Sequence, residues 1–572
     1  MRYNNPMMKP TSHRNLFNAD CNVFMYRYRP QSYLYRAPGD PLTAAVIHRF
    51  VDLLADSGVD TFLINPFAQL AWYPSKNIPT VFDGYRRGDR SFFFGHILGW
   101  QMTAEQIEHY LDDSVHMMDS YLDLQEAGVD WLAEVAAACR RRGISPWVSL
   151  RMNDIHGATK FIEGSYMNGA LYKDPAMRLR GTTWNRNAPV ENGWQGFDYA
   201  QPEVRDYMLA AARDMVEHYD YEGLELDWMR WPLCCEPDAS RETIDTVTEW
   251  HAEIRRMTER QAAKIGKPYP LGVKYVGSLD QMRSIGVDVR EMARRGIIDF
   301  VLPSNSWQTS WDIPCDELRA EMGPEVAVYG VVEIAPNWLQ GWLPQQETPN
   351  AGLGSELAVD YRLTPACPPI LRGNAASKLV LGVDGIEVYN YPPADQPSHW
   401  PWENEPCRAE YPALKGVEDL EFLRGQPKFY TFPSQTGYYS HQLFETVGPF
   451  PTVLGPCERR ACRLPMCAET NDALEFVIQV VVEKKDALPP IGVYFNGCWP
   501  NFDATPDERL LFPVATMTHH TPDHLGLNFT FPLSSIREGW NEIVVMNGEP
   551  KDFWKDQSAD SVTVVSLELA VR

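Results

Sequence analysis

Apolar runs of strand length alternate with longer stretches of helical period along most of this chain. The clearest run is Tyr221-Glu-Gly-Leu-Glu-Leu-Asp-Trp-Met-Arg-Trp-Pro232, in which Leu224 and Leu226 alternate with Glu225 and Asp227. As a strand it puts both leucines on one face and both carboxylates on the other. Pro232, which has no N–H for a ladder, closes it.

The same pattern predicts further strands at Asn22–Tyr26, Val59–Pro66, Ser145–Met152, Leu271–Val276, Ile297–Pro303, Val326–Ile334 and Gly385–Tyr391. Helices are predicted over Leu42–Ser57, Thr103–Arg142, Gln201–Tyr219, Arg241–Ile265, Val287–Arg295, Glu317–Met322 and Pro369–Leu381. Strands that alternate with helices imply an α/β fold with a parallel sheet, and eight such units imply closure into a (β/α)8 TIM barrel. Beyond residue 440 the helical period nearly vanishes. Leu474–Val482, Ile491–Phe495, Leu527–Phe531, Asn541–Met546 and Val562–Leu569 are short β-type runs separated by Gly, Pro, Asn and Asp, as in an antiparallel sandwich. The expected layout is a barrel over 1–400, a Pro-, Trp- and Tyr-rich connector over 401–440, and a jelly-roll-like β-sandwich over 441–572.

Length and composition agree with a catalytic unit plus an accessory domain, since 572 residues exceed one ordinary domain. The net charge of −24 argues against nucleic acid or an anionic membrane as partner, because both need clustered Lys and Arg. It also makes an anionic polymer a less natural substrate. The 18 Trp suit a cleft that stacks on the apolar faces of sugars, although large barrels also bury many aromatics. The 11 Cys are scattered without C-x-x-C pairs, and Cys457, Cys462 and Cys467 have no histidines nearby, so a metal centre is not indicated. Met1–Pro10 contains no apolar signal core, and no run approaches the ~20 apolar residues of a spanning helix. A cytoplasmic protein with reduced thiols is the expectation, and nothing in the sequence decides for or against a homo-oligomer.

The C-terminal strand ends form the active face of such a barrel. The polar residues expected there are Asn65, Asn153, Asp154, His156, Glu225, Asp227, Arg230, Lys274, Asn305, Glu333, Glu387 and Asn390. Any one of them reads equally well as a satisfied polar group at a strand end. Carboxylates recurring at strands three, four, seven and eight are costly unless used.

Two stretches carry a resemblance. Phe197-Asp-Tyr-Ala-Gln-Pro-Glu-Val-Arg205 and Tyr221–Pro232 resemble a helix and strand of the family-10-like glycoside hydrolase barrels. The resemblance implies a (β/α)8 hydrolase acting on a glycan, with Asp227 and Arg230 in the site. Asp227-Trp-Met-Arg230 is also similar to the strand-four Asp-x-x-Arg of the α-galactosidase clan, where the Asp is the nucleophile. That clan carries its acid/base on strand six, which here ends in Ser304-Asn-Ser-Trp307 with no carboxylate before Asp312. Gly223–Met229 is similar to the family-18 chitinase strand, but the catalytic Glu of that family would fall on Met229, which has no proton to give. Phe531-Pro-Leu-Ser-Ser-Ile-Arg-Glu-Gly-Trp-Asn-Glu-Ile-Val544 resembles jelly-roll modules attached to glycoside hydrolases, which more often brace the barrel than bind sugar.

The expected function is therefore glycoside hydrolysis by two carboxyl groups, with a carbohydrate substrate and no cofactor. Asp227 fills one role. Glu333, in Gly330-Val-Val-Glu-Ile-Ala-Pro336, is the favoured partner because desolvation at an apolar strand end raises a carboxyl pKa, and Asp154 comes second, ahead of Glu387 and Asp312. Arg230, Lys274 and His156 are candidates for holding sugar hydroxyls or a substrate carboxylate or sulfate. Asn153, Glu225, Asn305, Glu387 and Asn390 complete the expected contacts, and Trp228, Trp231, Trp307 and Trp311 are candidate stacking platforms. The long aromatic loop over 68–100 would wall one end of the cleft and favour exo action. Two alternatives stand beside this one: a catalytically silent carbohydrate-binding barrel, and a metal-dependent hydrolase using Asp154 and His156. The second lacks any H-x-H or H-E-x-x-H pair.

Overall fold

The structure is a computed structural model that describes residues 12–28, 33–100, 102–158, 161–180, 196–230, 232–236, 238–276, 278–305, 309–333, 368–390, 411–432, 449–486, 488, 490–501, 505–507, 524–548 and 560–572. Eight parallel strands close into a barrel: β1 (Asn15–Asp20), β2 (Thr61–Asn65), β3 (Ser145–Arg151), β4 (Leu224–Asp227), β5 (Leu271–Val276), β6 (Phe300–Ser304), β7 (Ala327–Val332) and β8 (Gly385–Tyr389). Each pairs with its sequence neighbours, and β8 closes on β1. This is a TIM barrel. The helices around it are α1 (Ala44–Asp56), α2 (Ala104–Glu126), α3 (Trp131–Arg141), α4 (Pro202–His218), α5 (Arg241–Ile265), α6 (Val289–Arg295), α7 (Cys315–Met322) and α8 (Pro368–Leu379).

Two expected elements are corrected. The first strand is Asn15–Asp20, and Cys21–Phe24 within the expected Asn22–Tyr26 is a 3-10 turn. The true strand alternates: Phe17 packs outward on Phe50 and Phe62, while Asn18 points inward and donates to Glu225 Oε1 at 3.1 Å. Asn15, Asn18 and Asp20 break up the apolar run by which a strand is recognised in sequence. The single helix expected over Thr103–Arg142 is two, because Gly128 adopts a positive φ of 71° and Asp130 then caps α3 by accepting from the N–H groups of Leu132 and Ala133.

The C-terminal part is an antiparallel two-sheet sandwich. One sheet runs β9 (Lys428–Thr431), β17 (Val562–Val571), β12 (Phe476–Glu483), β15 (His524–Phe531) and β14 (Thr505–Asp507), with β10 (Thr452–Leu454) also on β17. The other orders β11 (Arg459–Met466), β16 (Gly539–Asn547) and β13 (Ile491–Phe495). β9 lies within the stretch expected as connector, so the sheet draws its edge from there. Helix α8 joins the two halves: Ser377 Oγ donates to Pro465 O at 2.8 Å, and Gly373 abuts the backbone of Phe429. Among the described residues no helix is long and apolar enough to cross a membrane.

Candidate active site

Strand alternation fixes what enters the lumen. At the N-terminal end the lumen is apolar: the Trp147 ring lies 5.0 Å from Phe300, and Phe300 lies 5.8 Å from Tyr329. One pleat further along, the lumen turns ionic. Glu225 Oε1 accepts from Ser149 Oγ at 2.6 Å in addition to Asn18. Lys274 Nζ reaches Glu387 Oε1 at 2.8 Å and Glu333 Oε1 at 3.1 Å, and it lies 3.9 Å from the centroid of the Tyr389 ring. Glu333 Oε1 also accepts from Ser304 Oγ at 2.7 Å.

Glu225, Asp227, Lys274, Glu333 and Glu387 are all buried, with one cation among four acids. Four buried carboxylates beside a single ammonium cannot all stay ionised. Burial and the neighbouring Glu387 charge push Glu225 well above the ordinary carboxyl range. Burial raises Glu333 to about 7 against the pull of Lys274. Asp227 is also raised by burial, opposed by Lys274 and Arg151. For Lys274, burial works against the charge, but Glu333, Glu387, Glu225 and Asp227 outweigh it and hold the ammonium protonated.

Asp227 ends β4. Its Oδ1 accepts the N–H groups of Met229 at 2.8 Å and Arg230 at 3.2 Å, so the turn that follows the strand locks the carboxyl in place. Among the described residues its Oδ2 has no hydrogen-bond partner, and neither have Glu333 Oε2 and Glu225 Oε2.

Beside Asp227 on β3, Arg151 bridges Asp20 and Asp154, and its Nη2 donates to the Tyr389 hydroxyl oxygen at 3.1 Å. Asp154 Oδ1 accepts from the His156 backbone N–H at 2.9 Å and pairs with its Nδ1 at 2.7 Å, while His156 Nε2 meets Arg230 Nη2 at 2.9 Å. Burial opposes the Asp154 charge, but His156, Arg151 and Arg230 hold the carboxyl well below its ordinary range. Burial lowers His156, with Asp154 partly offsetting it, so the ring is neutral at pH 7 and accepts from Arg230. Both Asp154 oxygens are thus occupied and the group stays ionised, which suits positioning and not proton donation.

A cavity of about 180 Å³ opens at the C-terminal ends of β1 to β4, and its polar lining includes Asp20, Asn65, Asp113, Arg151, His156 and Arg230. Arg230 and His156 of the sequence candidates line it, as does Asn65. Asp154, Glu225, Asp227, Lys274, Glu333 and Glu387 are not among its lining residues; all six are buried next to it or in the ionic layer. Asn153 ties loops together, donating to Leu233 O and accepting from Phe197 N–H at 3.0 Å. Asn305 donates to Ser310 Oγ at 2.7 Å, and Asn390 Oδ1 accepts from Asp20 N–H at 3.0 Å. Asp312 faces Lys378 of α8. Trp228 and Trp311 are fully buried in cores, not platforms: Trp228 follows Asp227 by one residue and so turns to the helix side, donating to His251 Nε2 at 3.1 Å. Trp231 and Trp307 lie outside the described residues. Asp20, Arg151 and Tyr389 were not singled out by the sequence, although period-two alternation from Asn18, Ser149 and Glu387 points to each of them. Among the described residues, no three His, Cys, Asp or Glu side chains are gathered to share a metal ion.

No family model matches the chain. Curated relatives include the 1,4-alpha-glucan branching enzyme GlgB 2 of Xanthomonas oryzae pv. oryzae, 25% identical over 215 residues, which are 33% of this chain and 27% of the relative. The same-named protein of Xanthomonas euvesicatoria pv. vesicatoria is 32% identical over 102 residues, 17% of this chain and 12% of its own. The chain therefore spans about a quarter or less of these relatives. Among solved structures, an Anoxybacillus alpha-amylase aligns with 94% of this chain and 98% of its own at 11% identity and a TM-score of 0.35. Alpha-L-fucosidase isoenzyme 2 from Paenibacillus thiaminolyticus aligns with 74% and 51% at 12% identity and a TM-score of 0.39. Similarity at these scores carries no functional weight; the fold rests on the closed barrel itself.

Proposed function

We propose that this chain breaks glycosidic bonds with Asp227 and Glu333 as its carboxyl pair. One observation carries the proposal: of the three buried carboxyls in the ionic layer with an oxygen that has no hydrogen-bond partner among the described residues, Glu225, Asp227 and Glu333, the last two sit at strand C-terminal ends. A buried acceptor left open is expensive in a merely structural cluster, and a substrate or water fills it. Glu333, raised to about 7, is protonated over much of the neutral range and serves as the acid for the leaving oxygen. Asp227, fixed by two backbone N–H groups, serves as nucleophile or as base for water; burial raises its pKa, and Lys274 and Arg151 oppose that rise. Curated relatives bear the name of branching enzymes, so the acceptor is either water or a second sugar, and product analysis decides between them.

The test is a panel of aryl glycosides and α-glucans with the wild type, Asp227→Asn and Glu333→Gln. Each variant is expected to lose about 10²–10⁴-fold in kcat. A leaving group that needs no protonation should restore Glu333→Gln but not Asp227→Asn. Full activity in Asp227→Asn would sink the assignment.

A further inference from the structure

The cavity at the ends of β1 to β4 is lined by two kinds of group. Asp20, Asn65 and Arg230 supply hydrogen-bonding groups, and Phe67, Trp72 and Tyr166 supply apolar rings. Donors and acceptors mixed with aromatic rings suit a pyranose, which has hydroxyls at its rim and apolar C–H faces. Asn65 is 3% exposed; its Oδ1 accepts the Phe67 N–H at 3.2 Å, which fixes the amide orientation and leaves Nδ2 as a donor without a partner among the described residues. The Asp20 carboxylate is 23% exposed and is anchored by Arg151.

Size and charge narrow the ligand. About 180 Å³ is smaller than the ~300–1,000 Å³ of sites for drug-sized ligands, so the cavity itself takes a single ring. Tyr110, Ser114 and Met117 of α2 wall the cavity. Its positive charges are already matched: Arg151 lies between Asp20 and Asp154, and Arg230 sits within electrostatic reach of the same two carboxylates. Asp113, also in the lining, adds a further carboxylate, 3.7 Å from Arg27. Among the described lining residues an incoming anion would find no guanidinium without a carboxylate near it.

We propose that this cavity binds a single uncharged sugar ring, holding its hydroxyls with Asp20, Asn65 and Arg230 and its apolar face against Trp72, and that it rejects uronates and sulfated sugars. The proposal rests on the carboxyl-pair assignment above and makes the bound ring the terminal unit of the glycan.

Isothermal titration calorimetry on the full chain tests it, with D-glucose, D-galactose, D-mannose and D-xylose against D-glucuronate and D-galacturonate. At least one neutral sugar should bind saturably, and its uronate counterpart, or both uronates where it has none, at least about tenfold more weakly, since a desolvated carboxylate would face Asp20 and Asp113 without a cation of its own. Asn65→Asp keeps the acceptor for Phe67 N–H but removes the donor, and Asp20→Asn removes the charged acceptor. Each should weaken the neutral sugar about tenfold with the circular dichroism spectrum unchanged. Absence of saturable neutral binding, a uronate bound as tightly, or wild-type affinity in both variants overturns the proposal. Wild-type binding without turnover of any glycoside would remove the catalytic assignment and leave this site standing. Turnover by a chain whose cavity ignores neutral sugars would do the reverse.

Discussion

At the scale of single residues, Glu333 ties the ionic layer to stability as well as to chemistry. Its carboxyl titrates near 7 in the folded chain and near 4.5 when free. The folded state therefore holds more protons than the unfolded one between those values, so this group costs stability as pH rises through that window. The full cost, reached above pH 7, is roughly 3 kcal/mol at 1.36 kcal/mol per pKa unit. Asp154 and Asp20, both held below their ordinary range, contribute with the opposite sign, losing stability as pH falls. Those terms are shared by wild type and Glu333→Gln and cancel in the difference. Urea unfolding should show Glu333→Gln gaining on wild type between pH 4.5 and pH 8. An equal difference at both pH values would mean that Glu333 is not the perturbed group.

At the scale of elements, what positions Lys274 is the packing below it. Gly272 precedes it by one pleat on β5, and a Cβ there would come within 2.0 Å of the Phe300 ring. That ring is held between Trp147 and Tyr329 and has no room to swing. Gly272→Ala should cost about 1–3 kcal/mol by overpacking. Gly425→Ala, whose Cβ meets nothing closer than 3.9 Å, should stay within about 0.5 kcal/mol. Equal urea midpoints for the two variants would contradict a rigid lumen. Elements of this kind were legible in sequence where apolar runs are unbroken: β5 and α5 lie at the expected Leu271–Val276 and Arg241–Ile265. β1 was not, because Asn15, Asn18 and Asp20 are polar for reasons that only the closed barrel supplies: Asn18 meets Glu225 across the lumen, and Asp20 meets Arg151. The same blindness hid Asp20 from the candidate site. The α2 wall of the cavity was equally illegible, since nothing local to Tyr110 or Met117 says which strand ends that helix will cross.

At the scale of the whole molecule, barrel and sandwich share side chains. Trp311, which follows β6, and Ile370 of α8 are barrel residues by sequence, yet they cluster with Phe432, Phe450 and Leu464 of the sandwich side. Lys378 of α8 donates to Ser310 O at 2.7 Å, which holds the loop carrying Trp311, and Trp540 of β16 donates to Asp316 of α7 at 3.0 Å. A core that crosses the domain boundary couples the two units, so unfolding one exposes apolar surface of the other. The wild type is therefore expected to melt in one calorimetric transition. Gly373 is where this coupling is most vulnerable, because a Cβ there would lie 2.0 Å from the carbonyl oxygen of Phe429, a backbone atom of β9 that no rotamer change can move. Gly373→Ala must push α8 off the sandwich edge. It should lower the transition by about 1–3 °C, since a cost of about 1–3 kcal/mol is spread over so large a unit, and split the peak as the barrel and sandwich lose their common core. A single peak at the wild-type temperature would show that α8 yields without loosening the sandwich, and that the two domains are only neighbours.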